Sequence, residues 1–171
     1  MPTLNNAGAI YEDPRASLVI EDAFEFMKRE QNTYDVILVD STDPIGPCEV
    51  LFSENFYQAC RRCLNDDGIL VTQNGTPFMQ LSEVQTTAGR MNELFADWHF
   101  YMAAVPTYIG GSMTFAWGST RAEYRRLPLE TLRQRFAGSG IVTRYYNPEI
   151  HQGAFALPQY VLQAIHKPGN D

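Results

Sequence analysis

The chain has 171 residues, 44% of them hydrophobic and 19% charged, which is enough apolar content for one domain with a sizeable core and too much for a disordered chain. Asp and Glu number 20 against 13 Lys and Arg, for a net charge of −7, and lysine occurs only at Lys28 and Lys167. Without a basic stripe to meet phosphates, a nucleic-acid partner is excluded. The acidity suits a cationic small molecule and equally serves plain solubility. No apolar run approaches the roughly 20 residues of a membrane helix, and Met1–Asn6 lacks the shape of a signal peptide. The expectation is a cytoplasmic protein, away from membranes, with Cys48, Cys60 and Cys63 as reduced thiols. Cys60 and Cys63 form a C-x-x-C with no second pair and no nearby histidine, so the redox or metal reading is the weaker one.

Apolar runs alternate with helical spacing, which predicts an α/β sheet. Ala16–Ile20 is a short apolar run suited to a strand. Asp22–Glu30 has helical spacing, with Ala23, Phe26 and Met27 on one side. Tyr34–Val39 (YDVILV) reads as a strand buried on both faces. It runs into a Pro/Gly loop at Asp40. Ser53 is placed to cap a helix carrying Phe56, Tyr57, Cys60 and Leu64. Asn65–Gly68 reads as a turn and Gly68–Gln73 as the next strand. Phe78–Phe95 is a longer helical stretch. Trp98–Val105 and Met113–Trp117 are predicted as two strands, an antiparallel hairpin joined by Pro106–Ser112. Leu127–Phe136 and Pro158–Ile165 complete the set as helices. No repeat or linker interrupts residues 1–171, so a single domain is expected. A nucleotide-binding α/β domain opens with a strand, a Gly-rich turn and a second strand ending in an acid. The sequence shows none of these, and reads as though it begins partway through such a fold.

Asp40 directly follows the Tyr34–Val39 strand, where open α/β sheets bind ligands. An acid there either caps the turn or faces a ligand. Asp43 lies three residues on, in a loop shaped by Pro44, Gly46 and Pro47 and free of basic residues. Two such carboxylates raise each other's pKa or recruit a cation. Asp22 and Ala23 follow another predicted strand. The acid there either caps the helix or accepts from an adenine amino group beside a backbone N–H, and the two roles are compatible. Tyr108 and Trp117 sit in PTYIGGSMTFAW, either as hairpin and core aromatics or as faces for an alkyl chain and a cation. Gln73 and Asn74 close another strand and border the same crevice. His99, His151 and His166 are scattered and suggest no metal site.

Together these residues carry a resemblance. YDVILVDSTDPIGP at Tyr34–Pro47 is similar to the signature of the polyamine aminopropyltransferase (spermidine synthase) family. So is LFSENFYQACRRC at Leu51–Cys63. PTYIGGSMTFAW and YYNPEIHQGAFALPQY at Tyr145–Tyr160 look like the bacterial branch, and the likeness runs from about Asn5 to Ile165. The resemblance implies the C-terminal part of an incomplete Rossmann-like, class I methyltransferase-like domain, lacking its first strands and the family's N-terminal β domain. It implies aminopropyl transfer from decarboxylated S-adenosylmethionine to putrescine, giving spermidine and 5′-methylthioadenosine. The donor is a cosubstrate, and no cofactor or metal is implied. Asp40 matches the proton acceptor. Asp43 matches a polyamine-binding carboxylate and Tyr108 an aromatic of the polyamine channel. Asp22 and Ala23 match the adenine-binding pair, and Pro47 another nucleoside contact. Ala23 stands where the family commonly has Gly, a change that keeps a backbone N–H contact. Complete members form homodimers or homotetramers. The alternatives are a non-catalytic polyamine-binding or subunit-interaction module, and an S-adenosylmethionine-dependent methyltransferase on the same general fold. The expectation is that the chain alone is poorly folded or inactive unless a partner supplies the missing nucleoside pocket.

Overall fold

A computed structural model of the chain describes residues 11–31, 33–41 and 46–166. Helix α1 spans Ala23–Arg29, strand β1 Tyr34–Val39, a 3-10 helix Gly46–Phe52, helix α2 Glu54–Cys63, strand β2 Leu64–Gln73, helix α3 Leu81–Leu94 and strand β3 Asp97–Ala104. Strand β4 follows at Ser112–Ser119, then a 3-10 turn at Tyr124–Arg126 and helices α4 (Leu129–Ser139), α5 (Pro148–Ala154) and α6 (Gln159–His166). The sheet order is β1-β2-β4-β3. β1 and β2 are parallel, and β4 is antiparallel to both β2 and β3.

Side-chain caps set three of the six helix starts among the described residues. Asp22 caps α1 by accepting from the Glu25 N–H at 2.9 Å, and Ser53 caps α2 by accepting from Phe56 N–H at 3.2 Å. Helix α2 then turns Phe56, Tyr57, Ala59, Cys60 and Cys63 toward the sheet. They meet Val84, Ala88 and Met91 of α3, Leu70 of β2, Phe100 of β3 and Val161 of α6 in one core. Burying each large side chain there contributes about 1.5–3 kcal/mol. Gly118 of β4 is required by this packing, because a Cβ would stand 2.7 Å from the Phe95 ring. On the opposite sheet face, Tyr101 stacks on Phe115, and Phe155, the residue after α5, packs edge-on to Trp117.

Several expectations are corrected. Ala16–Ile20 forms no strand: it pairs with none of the four strands among the described residues, and Ile20 is 90% exposed. Tyr34–Val39 is a strand, but not one buried on both faces. Among the described residues it stands at the sheet edge beside β2, and its Val36–Leu38 face is open, with Leu38 72% exposed. Asn65–Gly68 does not separate two elements. Tyr34 pairs with Leu64 and Val36 with Ile69, so β2 absorbs these residues as an irregularity opposite the single residue Asp35. Helix α3 begins at Leu81 rather than Phe78, because the Thr76 carbonyl accepts from Met79 and Gln80 in a separate turn. Helix α5 adds to the expected set, although Asn147-Pro148-Glu149 announces it. The Asn147 side chain accepts from Ile150 N–H at 2.7 Å, Pro148 stands in the first turn and Glu149 favours the helix N-terminus.

Candidate active site at the carboxyl end of the sheet

β1, β2 and β3 run in the same direction, so Asp40, Gln73 and the β3–β4 connection lie at one end of the sheet. Asp40 follows β1 and is exposed. The β1–β2 register pairs Val39 with Thr72, which puts Asp40 beside Gln73. The Gln73 carboxamide faces two acceptors. Oriented so that its NH2 meets them, it donates to Asp40 Oδ1 at 2.6 Å and to the Ser41 carbonyl at 3.2 Å.

Asn74 anchors the next step of the chain and is fully buried. It donates to Thr87 Oγ1 at 2.7 Å and accepts from Thr72 Oγ1 at 3.2 Å. The Tyr57 hydroxyl meets Thr72 Oγ1 at 3.2 Å, extending this network into α2. Burial pushes the Tyr57 phenol above its ordinary pKa, so it serves as a neutral hydrogen-bonding group. The Asn74 N–H donates to Thr114 O, and the Thr114 hydroxyl donates to Asn74 O at 2.8 Å. Gly75 then turns with φ +63, and a Cβ there would stand 2.5 Å from Gln80 Oε1. The end of β2 is therefore fixed on both sides.

The remaining expected residues are placed as follows. Tyr108 lies half-exposed on the β3–β4 loop, shaped by bonds from Tyr108 N–H to Val105 O and from Gly111 N–H to Tyr108 O. Asp22 is occupied as the cap of α1, and Ala23 is exposed at that helix start. Helix α1 packs against the 3-10 helix containing Pro47. Asp43 and the Pro47 side chain lie outside the described residues. Trp117 is buried on β4, edge-on to Phe155. Gln73 is the residue whose importance spacing alone understates: its place in the sequence borders the crevice, but only the strand register reveals its contact with Asp40.

Two cavities lie along the sheet, and neither is lined by Asp40, Gln73 or Tyr108. One of about 470 Å³ lies between the 17–21 segment, α1 and β1, and Ala23, Leu18 and Val36 line it. Another of about 680 Å³ lies under α4 and α5, lined by Trp117, Tyr101 and Phe155 among others. Among the described residues, no three His, Cys, Asp or Glu side chains gather in a way that could hold a metal ion. No helix among them is long and apolar enough to cross a membrane.

A mixed sheet between helical layers, with an acid at the carboxyl end of a parallel strand, defines a Rossmann-like α/β domain. The chain matches the Spermine/spermidine synthase domain over residues 1–127, and it belongs to that family. It is 72% identical to the polyamine aminopropyltransferase of Pseudomonas syringae pv. tomato over 98% of its length, covering 58% of that protein. The same figures hold for polyamine aminopropyltransferase 1 of Pseudomonas aeruginosa. Among solved structures, a spermidine synthase in complex with the transition-state analogue AdoDATO superposes with a TM-score of 0.85 at 30% identity, over 95% of this chain and 55% of that one. The spermidine synthase of Thermotoga maritima gives a TM-score of 0.82, also at 30% identity, over 96% of this chain and 55% of that one. The chain thus spans little more than half the length of the relatives it matches.

Proposed function

We propose that this chain is the C-terminal part of an aminopropyltransferase catalytic domain, and that its site transfers an aminopropyl group from decarboxylated S-adenosylmethionine to putrescine. Spermidine and 5′-methylthioadenosine are the products. The observation that carries the reading is Asp40, an exposed carboxylate at the carboxyl end of β1, within a segment similar to the family signature.

The chemistry demands such a group. A primary amine attacks the carbon beside the sulfonium, the C–S bond breaks, and the thioether leaves neutral without help from an acid. The amine must shed a proton, and an alkylamine has a pKa of about 10.4 in water. Asp40 orients the attacking nitrogen and accepts that proton. Asp43 binds the diamine's charge, and Tyr108 packs along its methylenes. Ala23 offers its backbone N–H to the adenine ring while Asp22, already the cap of α1, accepts from the adenine amino group. Pro47 contacts the nucleoside. The donor is consumed as a cosubstrate, and the site needs no resident cofactor. In the whole protein we assign a cytoplasmic enzyme assembled as a homodimer or homotetramer.

The second reading, a non-catalytic polyamine-binding or subunit-interaction module, draws on the open β1 edge and the exposed Leu18, Ile20 and Leu38. One assay separates the two. The chain is mixed with decarboxylated S-adenosylmethionine and putrescine, alone and joined behind the preceding part of the Pseudomonas syringae relative, and 5′-methylthioadenosine is measured. The expected result is turnover in the joined form and little in the chain alone. A joined protein that folds, binds putrescine and releases no 5′-methylthioadenosine would establish the module instead.

A further inference from the structure

Asp40 has a demanding task for a side chain so loosely sited. It stands on an exposed sheet edge, just beyond the last bonded residue of β1. A carboxylate there can rotate about both side-chain torsions, and a proton acceptor is effective only within about 2.6–3.2 Å of its proton donor's heavy atom. Among the described residues, the partner of the Asp40 carboxylate is Gln73, at 2.6 Å.

We infer that Gln73 is a positioning residue that fixes the Asp40 carboxylate for proton acceptance, and that the buried Tyr57–Thr72–Asn74–Thr87 network holds Gln73 in place. This rests on the aminopropyl-transfer reading of Asp40 given above. Three observations combine. The parallel register puts the two residues side by side. The amide has two acceptors before it, Asp40 Oδ1 and Ser41 O, so one NH2 group pins both the carboxylate and the backbone that bears it. Strand alternation sends Thr72 and Asn74 toward α2 and α3 while Gln73 points to the face shared with Asp40. Asn74 is bonded through its side chain, N–H and carbonyl, so the strand end cannot roll and swing Gln73 away. The bond uses Oδ1 and leaves Oδ2 for the amine. It stabilises the carboxylate in place without competing for the proton, since an amide NH2 is only a donor.

The test uses whichever form turns over decarboxylated S-adenosylmethionine, the chain alone or the chain joined behind the preceding part of the Pseudomonas syringae relative. Gln73→Leu should lower kcat roughly 10- to 100-fold, the scale of a misplaced catalytic group, with the KM values little changed. Gln73→Glu places a carboxylate against Asp40 and should be similarly slow at pH 8. As the pH falls and the introduced carboxylate gains a proton to donate, the rate of this variant relative to wild type should recover. A structural role alone would not produce that recovery. In the chain itself, the Gln73 side-chain NH2 resonances should be shifted downfield and should move in Asp40→Asn. Unchanged kcat in Gln73→Leu, or a raised putrescine KM with kcat intact, overturns the positioning role. So do Gln73 amide resonances indifferent to Asp40→Asn. No turnover in any wild-type form instead overturns the aminopropyl-transfer reading.

Discussion

Arg125 grips the Asp97 carboxylate with two bonds, Nη2 to Oδ1 at 2.7 Å and Nε to Oδ2 at 3.1 Å. Asp97 is 6% exposed and opens β3, whereas Arg125 belongs to the turn after β4, so the pair staples the far ends of the hairpin. Arg126 reaches the same oxygen only at 4.0 Å. Arg125→Met would leave a buried carboxylate almost uncompensated, and the expected cost is about 3 kcal/mol in urea unfolding. Arg133→Met breaks the exposed bridge to Glu149 and should cost under about 1 kcal/mol. Equal losses in the two variants would refute this ranking.

Asp40→Asn keeps the shape of the side chain and removes its capacity to accept the amine proton. In the catalytically complete form, kcat should fall roughly 100- to 10,000-fold, the range of general-base contributions. Nucleoside binding, measured by calorimetry with 5′-methylthioadenosine, should be nearly unchanged because that contact is assigned to other residues. Retained turnover would remove Asp40 from the role proposed for it.

How far the sequence carries depends on which forces act locally. Asp22 and Ser53 announce the helices they cap because the interaction spans three residues. The hairpin is legible from two apolar runs flanking a Pro/Gly loop. The apolar run Ala16–Ile20 misleads because a strand is defined by its neighbour, and none of the strands among the described residues pairs with it. Tyr34–Val39 misleads for the same reason: its composition suits cover on both faces, yet Leu38 faces solvent. At the site, Asp40 can be found from its motif. The Gln73 contact cannot, because it arises from the β1–β2 register across 33 residues of chain.

Burial holds both His99 and His151 below the ordinary imidazole pKa, and the Arg125 charge adds to the effect at His99. A histidine depressed in the folded state binds fewer protons there than in the unfolded chain. Its share of stability is therefore complete above the unfolded value of about 6.5 and declines as pH falls through it. The exposed carboxylates of Asp13, Glu21, Asp67 and Glu149 are held low by arginine partners, so their share is lost only below about pH 4. The melting temperature should thus fall between pH 7 and pH 5, and His99→Gln combined with His151→Gln should flatten that slope. Equal slopes in wild type and the double variant, followed by circular dichroism, would contradict the assignment.

The Cys60-x-x-Cys63 pair invites a redox reading that its surroundings oppose. Cys60 is fully buried on α2, and burial pushes its thiol up to about 12. Cys63 is raised as well, and its Sγ donates to the carbonyls of Met27 at 3.1 Å and Glu30 at 3.2 Å, tying α2 to α1. At pH 8 the Cys60 thiolate is about one part in ten thousand, and the thiolate is the form that attacks. Cys48, only half-buried, should therefore take up iodoacetamide first. Cys60 and Cys63 should react only as fast as the fold opens, and faster with added urea. Mass spectrometry of timed aliquots checks this, and prompt native labelling of Cys60 would restore the redox reading.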